Sequence, residues 1–234
     1  YFQINTGLWK GHKRYDLYKE AYTPWEWQPI IKEQCEKVGL DFLSSPFDKT
    51  AVDFLEKIGI EFYKIASFEL VDIPLLTYVA SKGKPIILSC GLASVEEIEE
   101  AVAAIESQKN YNIVLLKCCS VYPTDEKDMN LQTIIDMKQR FGYPVGLSEH
   151  SIGSLADITG IVLGAQIIEK HFCLSRSIPN PDSVFSMEPE EYKEMVESVK
   201  RAKKICGKVT YQRTEKEENS AISRRSIFAR EDIQ

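Results

Sequence analysis

The feature that most constrains the fold is a regular alternation. Short apolar runs rich in β-branched and aromatic residues are separated by stretches with helical, amphipathic patterning. The runs begin at Asp41 (DFLSSPF), Phe62 (FYKIAS), Pro85 (PIILSCG), Ile113 (IVLLKCCS), Pro144 (PVGLSEH) and Gln166 (QIIEKHF). Their starts lie 21, 23, 28, 31 and 22 residues apart, room for one crossover each. Such a pattern predicts repeated βα units around a parallel sheet. Helix punctuation agrees. Thr23-Pro24-Trp25-Glu26 reads as a capping box opening a helix near 24–38, with Gly39 at its end. Ser94-Val95-Glu96-Glu97 opens a second helix running to about Gln108, and Asp48 caps a third that ends before Gly59. Gly83, Gly142, Gly164 and Gly207 stop the others, and the last and longest helix spans 189–206.

Six strands preceded by a helix match neither a closed eight-stranded barrel nor a plain doubly wound sheet, and no GxGxxG follows the first run. A (β/α)8 barrel takes about 250 residues. Six units ending at residue 207 therefore predict an α/β, TIM-type barrel lacking its first two βα units in this chain, with barrel residues 1–207. Residues 208–222 have the polar, charge-rich composition of a linker, and 223–234, with Arg224-Arg225-Ser226-Ile227-Phe228, read as the start of another structured piece.

Composition narrows the function classes. With 44% hydrophobic and 27% charged residues the chain is globular. A net charge of -6 has the wrong sign for a general nucleic-acid or anionic-membrane binder, so an anionic substrate requires a local basic site. No apolar run approaches the ~20 residues that span a bilayer, and no signal-peptide pattern opens the chain, which predicts a cytoplasmic protein. The six cysteines show no CxxC spacing and read as reduced, mostly buried thiols.

In parallel α/β arrays ligands bind at the carboxyl ends of the strands. The polar residues there are Ser44 and Ser45; Lys64, Ser67 and Glu69; Ser89 and Cys90; Lys117, Ser120 and Tyr122; Ser148, Glu149 and His150; and Glu169, Lys170 and His171. His150 and His171 end consecutive strands and can share a Mn, Zn or Fe ion, with Glu149, Glu169 or Asp182 completing or orienting the set; each can equally be a hydrogen-bonded rim residue. Lys64, inside an apolar strand, needs an anionic partner. It and Lys117, with the strand-end serines, form either a phosphate or carboxylate cradle or interior ion pairs with Glu69 and Glu169. A Schiff-base lysine is a further option. Trp25 and Trp27 read as core before sugar platform, and Cys90 and Cys119 have no histidine tied to them by sequence.

Taken together, the strings FLSSPFDKTAVDFLE, YKIASFELVDIPLL, GKPIILSCGLAS, LLKCCSVYPT, VGLSEHS, IIEKHF and PDSVFSMEPEEYKEMV resemble, in order and spacing, the sialic acid synthase family, which condenses phosphoenolpyruvate with an amino-sugar aldehyde. LYKEAYTPWEW, Phe68 and Ser120 make the resemblance closer to its pseudaminic acid branch, whose substrate is a 2,4-diacetamido-trideoxy-altrose; the sialate branch uses N-acetylmannosamine. The resemblance implies a (β/α)8 barrel followed by an antifreeze-like (SAF) domain in a domain-swapped homodimer. It also implies that a first-strand glutamate and a small-domain arginine lie outside this chain. Carried over by motif, His150 and His171 would hold a divalent metal, Mn or Mg. Ser45, Lys64, Ser67, Ser120 and Ser148 would bind phosphoenolpyruvate, with Lys117 nearby. Glu69, Tyr122 and Asp182 would position the sugar or assist proton transfer, so that Glu69, Tyr122 and Lys64 are the catalytic candidates. Glu149 departs from the Asp common in the family, and Cys90 and Cys119 depart from Thr. A Schiff-base lyase, or a degenerate member that binds without turnover, are the rival readings.

Overall fold

Five of the six apolar runs form strands in the computed structural model, which describes residues 3–232. They are β1 (Tyr63–Ile65), β2 (Ile86–Ser89), β3 (Ile113–Cys118), β4 (Val145–Glu149) and β5 (Ile168–Lys170), all parallel and hydrogen-bonded in chain order. The helices between and around them are α1 (Arg14–Ala21), α2 (Gln28–Lys37), α3 (Lys49–Ile58), α4 (Ile73–Ala80), α5 (Val95–Glu106), α6 (Thr133–Phe141), α7 (Leu155–Val162), α8 (Pro189–Cys206) and α9 (Glu215–Ala221). The run at 41–47 is the exception: it forms no strand and joins no ladder among the described residues. Pro46, buried near its end, has no N–H to give a neighbouring strand.

Capping chemistry sets most helix boundaries. The Asp48 carboxylate accepts the Ala51 N–H at 2.8 Å to start α3, and both arms of the Ser94/Glu97 box start α5. The expected Thr23 box does not form. Pro24 keeps an extended ψ of 135°, so the helix opens one residue later with a single 3-10 turn, Trp25–Trp27, that has no side-chain cap. The expected linker 208–222 likewise contains α9, opened by a capping box between Thr214 and Glu217, the same S/T-x-x-E signature lying unread in a polar segment.

Strand side chains alternate between faces. One face carries Tyr63, Ile65, Ile86, Leu88, Ile113, Leu115, Val145 and Leu147, packed against Val52 and Leu55 of α3, Leu76 of α4, Ile98 and Ile105 of α5, and Ile134 and Met137 of α6 in one continuous core. The other face is concave. Lys64 on β1 reaches Glu169 on β5 at 3.5 Å, yet four strand spacings in a flat sheet amount to about 19 Å, more than two such side chains span. The sheet therefore curls, and the described residues form a parallel α/β half-barrel. Curvature leaves little room inside: a Cβ on Gly146 would sit 2.6 Å from Leu116 Cδ2 and 2.7 Å from the Ile167 carbonyl. No described helix is long and apolar enough to cross a membrane.

On the helical side, Glu56 ties α3 to the sheet. Its Oε1 accepts the Tyr63 hydroxyl and the Lys84 ammonium, each at 2.6 Å. Burial pushes this carboxyl up, but the bonds from Lys84 and Tyr63 outweigh it and leave it below its ordinary 4.5. A depressed carboxylate contributes stability that is present above the unfolded pKa and is lost as pH falls through the folded one. Glu56→Gln should accordingly cost about 1 kcal/mol at pH 7 and almost nothing near pH 3, as measured by urea unfolding at the two pH values.

Candidate active site at the carboxyl ends of the strands

Alternation and curvature bring the polar strand ends together on the concave face. Lys64 is buried, and its ammonium faces Glu169, whose Oε1 also accepts the Ser148 hydroxyl at 2.8 Å. Of the ion pairs open to the two lysines, Lys64 thus takes Glu169. Glu69, just past β1, has Oε2 buried without a partner, and burial pushes its carboxyl up more strongly than the Lys64 charge pulls it down. Such a group is ready to meet a donor from a ligand.

Beside it lies a small cradle. The Ser67 hydroxyl accepts the Gly91 N–H at 3.1 Å, and Cys118 Sγ lies 3.7 Å from Ser120 Oγ. A Cβ on Gly91 would fall 2.4 Å from Ser120 Oγ, 2.7 Å from Ser67 Oγ and 3.1 Å from Cys118 Sγ, so the absence of a side chain is what leaves the two hydroxyls room to converge. Burial raises the Cys118 thiol, but hydrogen bonding to His150 and Ser67 and the His150 charge more than offset this and bring it down to about 7. Sequence reasoning passed over Cys118 and Gly91. Ser89 is buried with its hydroxyl unpartnered.

Two expected members stand apart. Lys117 shares a strand face with Leu115, opposite Cys118, and its ammonium donates to the Cys118 carbonyl at 3.2 Å; it pairs with no carboxylate among the described residues. Ser45 is half-buried in the extended 41–47 run, and no hydrogen bond joins it to the cradle among the described residues.

The two histidines meet as their strand-end positions predict. Their ring centroids lie 5.2 Å apart. His150 Nδ1 is 2.9 Å from the Cys119 carbonyl, its ring also hydrogen-bonds Cys118, and His171 Nδ1 is 3.5 Å from Asp182 Oδ2. Burial lowers His171, whereas at His150 hydrogen bonds to Cys118 and the Cys119 carbonyl outweigh burial and raise it. Adjacent oriented imidazoles fit a borderline divalent cation. No group of three or more His, Cys, Asp or Glu able to hold one ion is formed among the described residues, so the two imidazoles would be at most part of a coordination set. Tyr122, 4.3 Å from the His150 ring and 5.5 Å from Phe185, forms a wall beside them. Burial pushes its phenol up to about 12. A cavity of about 340 Å³ opens next to His171, lined by Asn180, Asp182, Ser175 and Ser186 together with Leu174 and Ile178.

Behind the histidines sits a buried charged knot. The Lys170 ammonium contacts Glu149, the carbonyls of Ser151 (2.8 Å) and Gly153 (2.9 Å), and Asp157 Oδ2 at 3.8 Å. Lys170 and Glu149 side chains are each 1% exposed and Asp157 is 0% exposed. Burial, only partly countered by Lys170, pushes the Asp157 carboxyl up to about 7. The knot joins the turn after β4 to the end of β5, the two segments that carry His150 and His171. Here the longer Glu149 carboxylate serves a lysine and the Ser151 N–H.

The curved parallel α/β sheet gathers a buried lysine, hydroxyls and two adjacent imidazoles at the carboxyl ends of its strands, the end at which α/β barrels bind ligands. Comparison with known proteins makes the assignment specific: the chain belongs to the NeuB family, which it matches over residues 1–211. It is 42% identical over 232 residues to the pseudaminic acid synthase of Campylobacter jejuni, covering 99% of this chain and 68% of that protein. Against the pseudaminic acid synthase of Helicobacter pylori it is 41% identical, covering 100% and 69%. Among solved structures, the N-acetylneuraminic acid (sialic acid) synthetase of Leptospira borgpetersenii superposes with a TM-score of 0.84 at 35% identity, over 88% of this chain and 72% of that one.

The knot makes a stability prediction. Lys170→Met leaves two carboxylates facing one another in the interior and should cost about 3–5 kcal/mol. Most of that loss should be recovered when Glu149→Gln and Asp157→Asn are added, as read from urea unfolding midpoints.

Proposed function

We propose that this chain carries the catalytic barrel of a synthase that condenses phosphoenolpyruvate with an N-acetylated amino-sugar aldehyde, giving the nine-carbon sugar acid pseudaminic acid and phosphate. The observation that carries this reading is identity of 41–42% to two pseudaminic acid synthases over essentially the whole chain. The concave-face cluster supports it with groups suited to both substrates.

In this reading the hydroxyls of Ser67, Ser120 and Ser148 and the Lys64 ammonium bind the phosphate and carboxylate of phosphoenolpyruvate, with Ser45 and Lys117 at the margin. The enol carbon attacks the sugar aldehyde, water adds at the carbon bearing the phosphate, and phosphate leaves by C–O cleavage. Preorganised donors aimed at the phosphate and a carboxylate near the developing cationic centre lower the barrier without reorganisation. Glu69 is suited by its raised carboxyl to hold and move a proton beside Lys64, while Tyr122 and Asp182 orient the sugar next to the histidines. His150 and His171 would hold a divalent metal, Mn or Mg, which would supply Lewis acidity toward the sugar aldehyde.

The same reading assigns residues 1–207 to a (β/α)8 barrel, to which the described residues contribute the five ladder strands and the extended 41–47 run. It assigns 208–222 to a connecting segment that includes α9, and 223–234 to the entry of an antifreeze-like domain. A cytoplasmic, domain-swapped homodimer is the assembly that goes with it.

Phosphate release by the intact protein from phosphoenolpyruvate, Mn and either the diacetamido-trideoxy-altrose or N-acetylmannosamine tests the proposal. Release with the altrose sugar alone is expected; release with N-acetylmannosamine alone would move the protein to the sialate branch, and silence with both would overturn a synthase reading. Two variants test the assignment of groups. Gly91→Ala inserts a methyl between the cradle hydroxyls and should raise the KM for phosphoenolpyruvate about tenfold while leaving Tm nearly unchanged. His171→Ala should abolish Mn binding in calorimetry while phosphoenolpyruvate still binds.

A further inference from the structure

The segment ahead of α1 is a closed loop. Ile4 N–H donates to the His12 carbonyl at 2.9 Å and Gly11 N–H to the Ile4 carbonyl at 2.8 Å, while Gln3 and Lys13 form an antiparallel bridge. The loop ends are thereby tied together, and most of its residues are exposed. Trp9 is different: its side chain crosses to the far end of the chain. The indole N–H donates to the Pro181 carbonyl at 2.9 Å, a contact spanning 172 residues in sequence. Its ring lies 5.5 Å from Tyr122, tilted at 47°, and 6.5 Å edge-on from Phe185.

These three contacts converge on one half of the site. Pro181 directly precedes Asp182, whose carboxylate faces His171, and the 178–186 segment forms one wall of the cavity beside His171. Tyr122 in turn lies against His150. On the phosphoenolpyruvate side, Lys64, Ser67, Ser120 and Gly91 are held by the sheet and by contacts that do not involve Trp9. One indole thus braces the sugar side and leaves the phosphate side to the strands.

We propose that Trp9 is a positioning residue for the amino-sugar half of the site: its N–H holds the segment bearing Asp182 and its ring holds Tyr122. The inference rests on the synthase reading for the identity of the ligand, but the anchoring itself does not. Trp9→Phe keeps an aromatic ring but deletes the N–H and part of the indole, so it removes the hydrogen bond to Pro181 and trims the packing against Tyr122 and Phe185.

In the intact protein, Trp9→Phe should raise the KM for the diacetamido-trideoxy-altrose about fivefold and leave the KM for phosphoenolpyruvate unchanged, the effect of losing the anchoring hydrogen bond and part of the ring contact. Trp9→Ala should widen the same split. Hydrogen exchange needs no turnover: amides in 178–186 should exchange about fivefold faster in Trp9→Phe, with strands β2 and β3 unaffected. An unchanged sugar KM in an active Trp9→Phe, or equal increases in both KM values, overturns the proposal. If wild type releases no phosphate with any sugar offered, the synthase reading fails by itself. Exchange then decides the anchoring: unchanged rates at 178–186 overturn it, and accelerated rates confined there uphold it.

Discussion

The period-two alternation of side chains along a curved parallel sheet is the constraint on which the rest depends. Each strand sends one set of residues out to the helices and the other into a narrowing interior. The outer set is mainly apolar and packs against the helices, with the buried Lys170–Glu149–Asp157 knot at the ends of β4 and β5, and on the inner set a charge finds its partner across the bend. Lys64 and Glu169 do so although three strands separate theirs. Their approach measures the curvature and draws the phosphate-side hydroxyls toward one centre.

The site has two mechanical halves. The half proposed to hold phosphate is carried by strands and by short segments hydrogen-bonded to them, as Gly91 is to Ser67. The half proposed to hold the sugar is assembled from loops: the 171–188 connection, the turn with Tyr122, and the N-terminal loop with Trp9. Loops need tethers, and the tethers here differ in kind. A buried lysine with two carboxylates fixes the backbone behind the histidines, while aromatic packing and one indole hydrogen bond fix the wall in front. Substrate variety within a family built this way belongs on the loop half, where a side chain can change without disturbing the sheet.

Electrostatically the cluster keeps charge close to neutral pairs. Glu69 is pushed toward its protonated form and His171 toward neutrality, both by burial. Lys64 is paired, and Lys117, which lacks a carboxylate partner among the described residues, points its ammonium at a backbone carbonyl on the other face. An anionic ligand entering here meets hydroxyls, one interior ammonium and a protonatable acid, and this arrangement suits a phosphate and a carboxylate better than an extended basic surface would in a chain of net charge -6.

The sequence by itself determined the parallel βα order, five strand positions to within two residues, most helix stops, and the rim on which the chemistry sits. These follow from local physics: hydrophobic period, capping side chains and glycines at positive φ. Motif order and spacing also singled out His150 and His171 as a pair, since consecutive parallel strands are neighbours. Tertiary structure decided the rest. Lys64 and Lys117 look alike in sequence, yet strand parity puts them on opposite faces. Thr23 has a capping box on paper, and an extended Pro24 cancels it. Trp9, Phe185, Gly91 and Cys118 give no local signal, because their roles exist only once a bend in the sheet and a closed loop bring distant segments within contact distance.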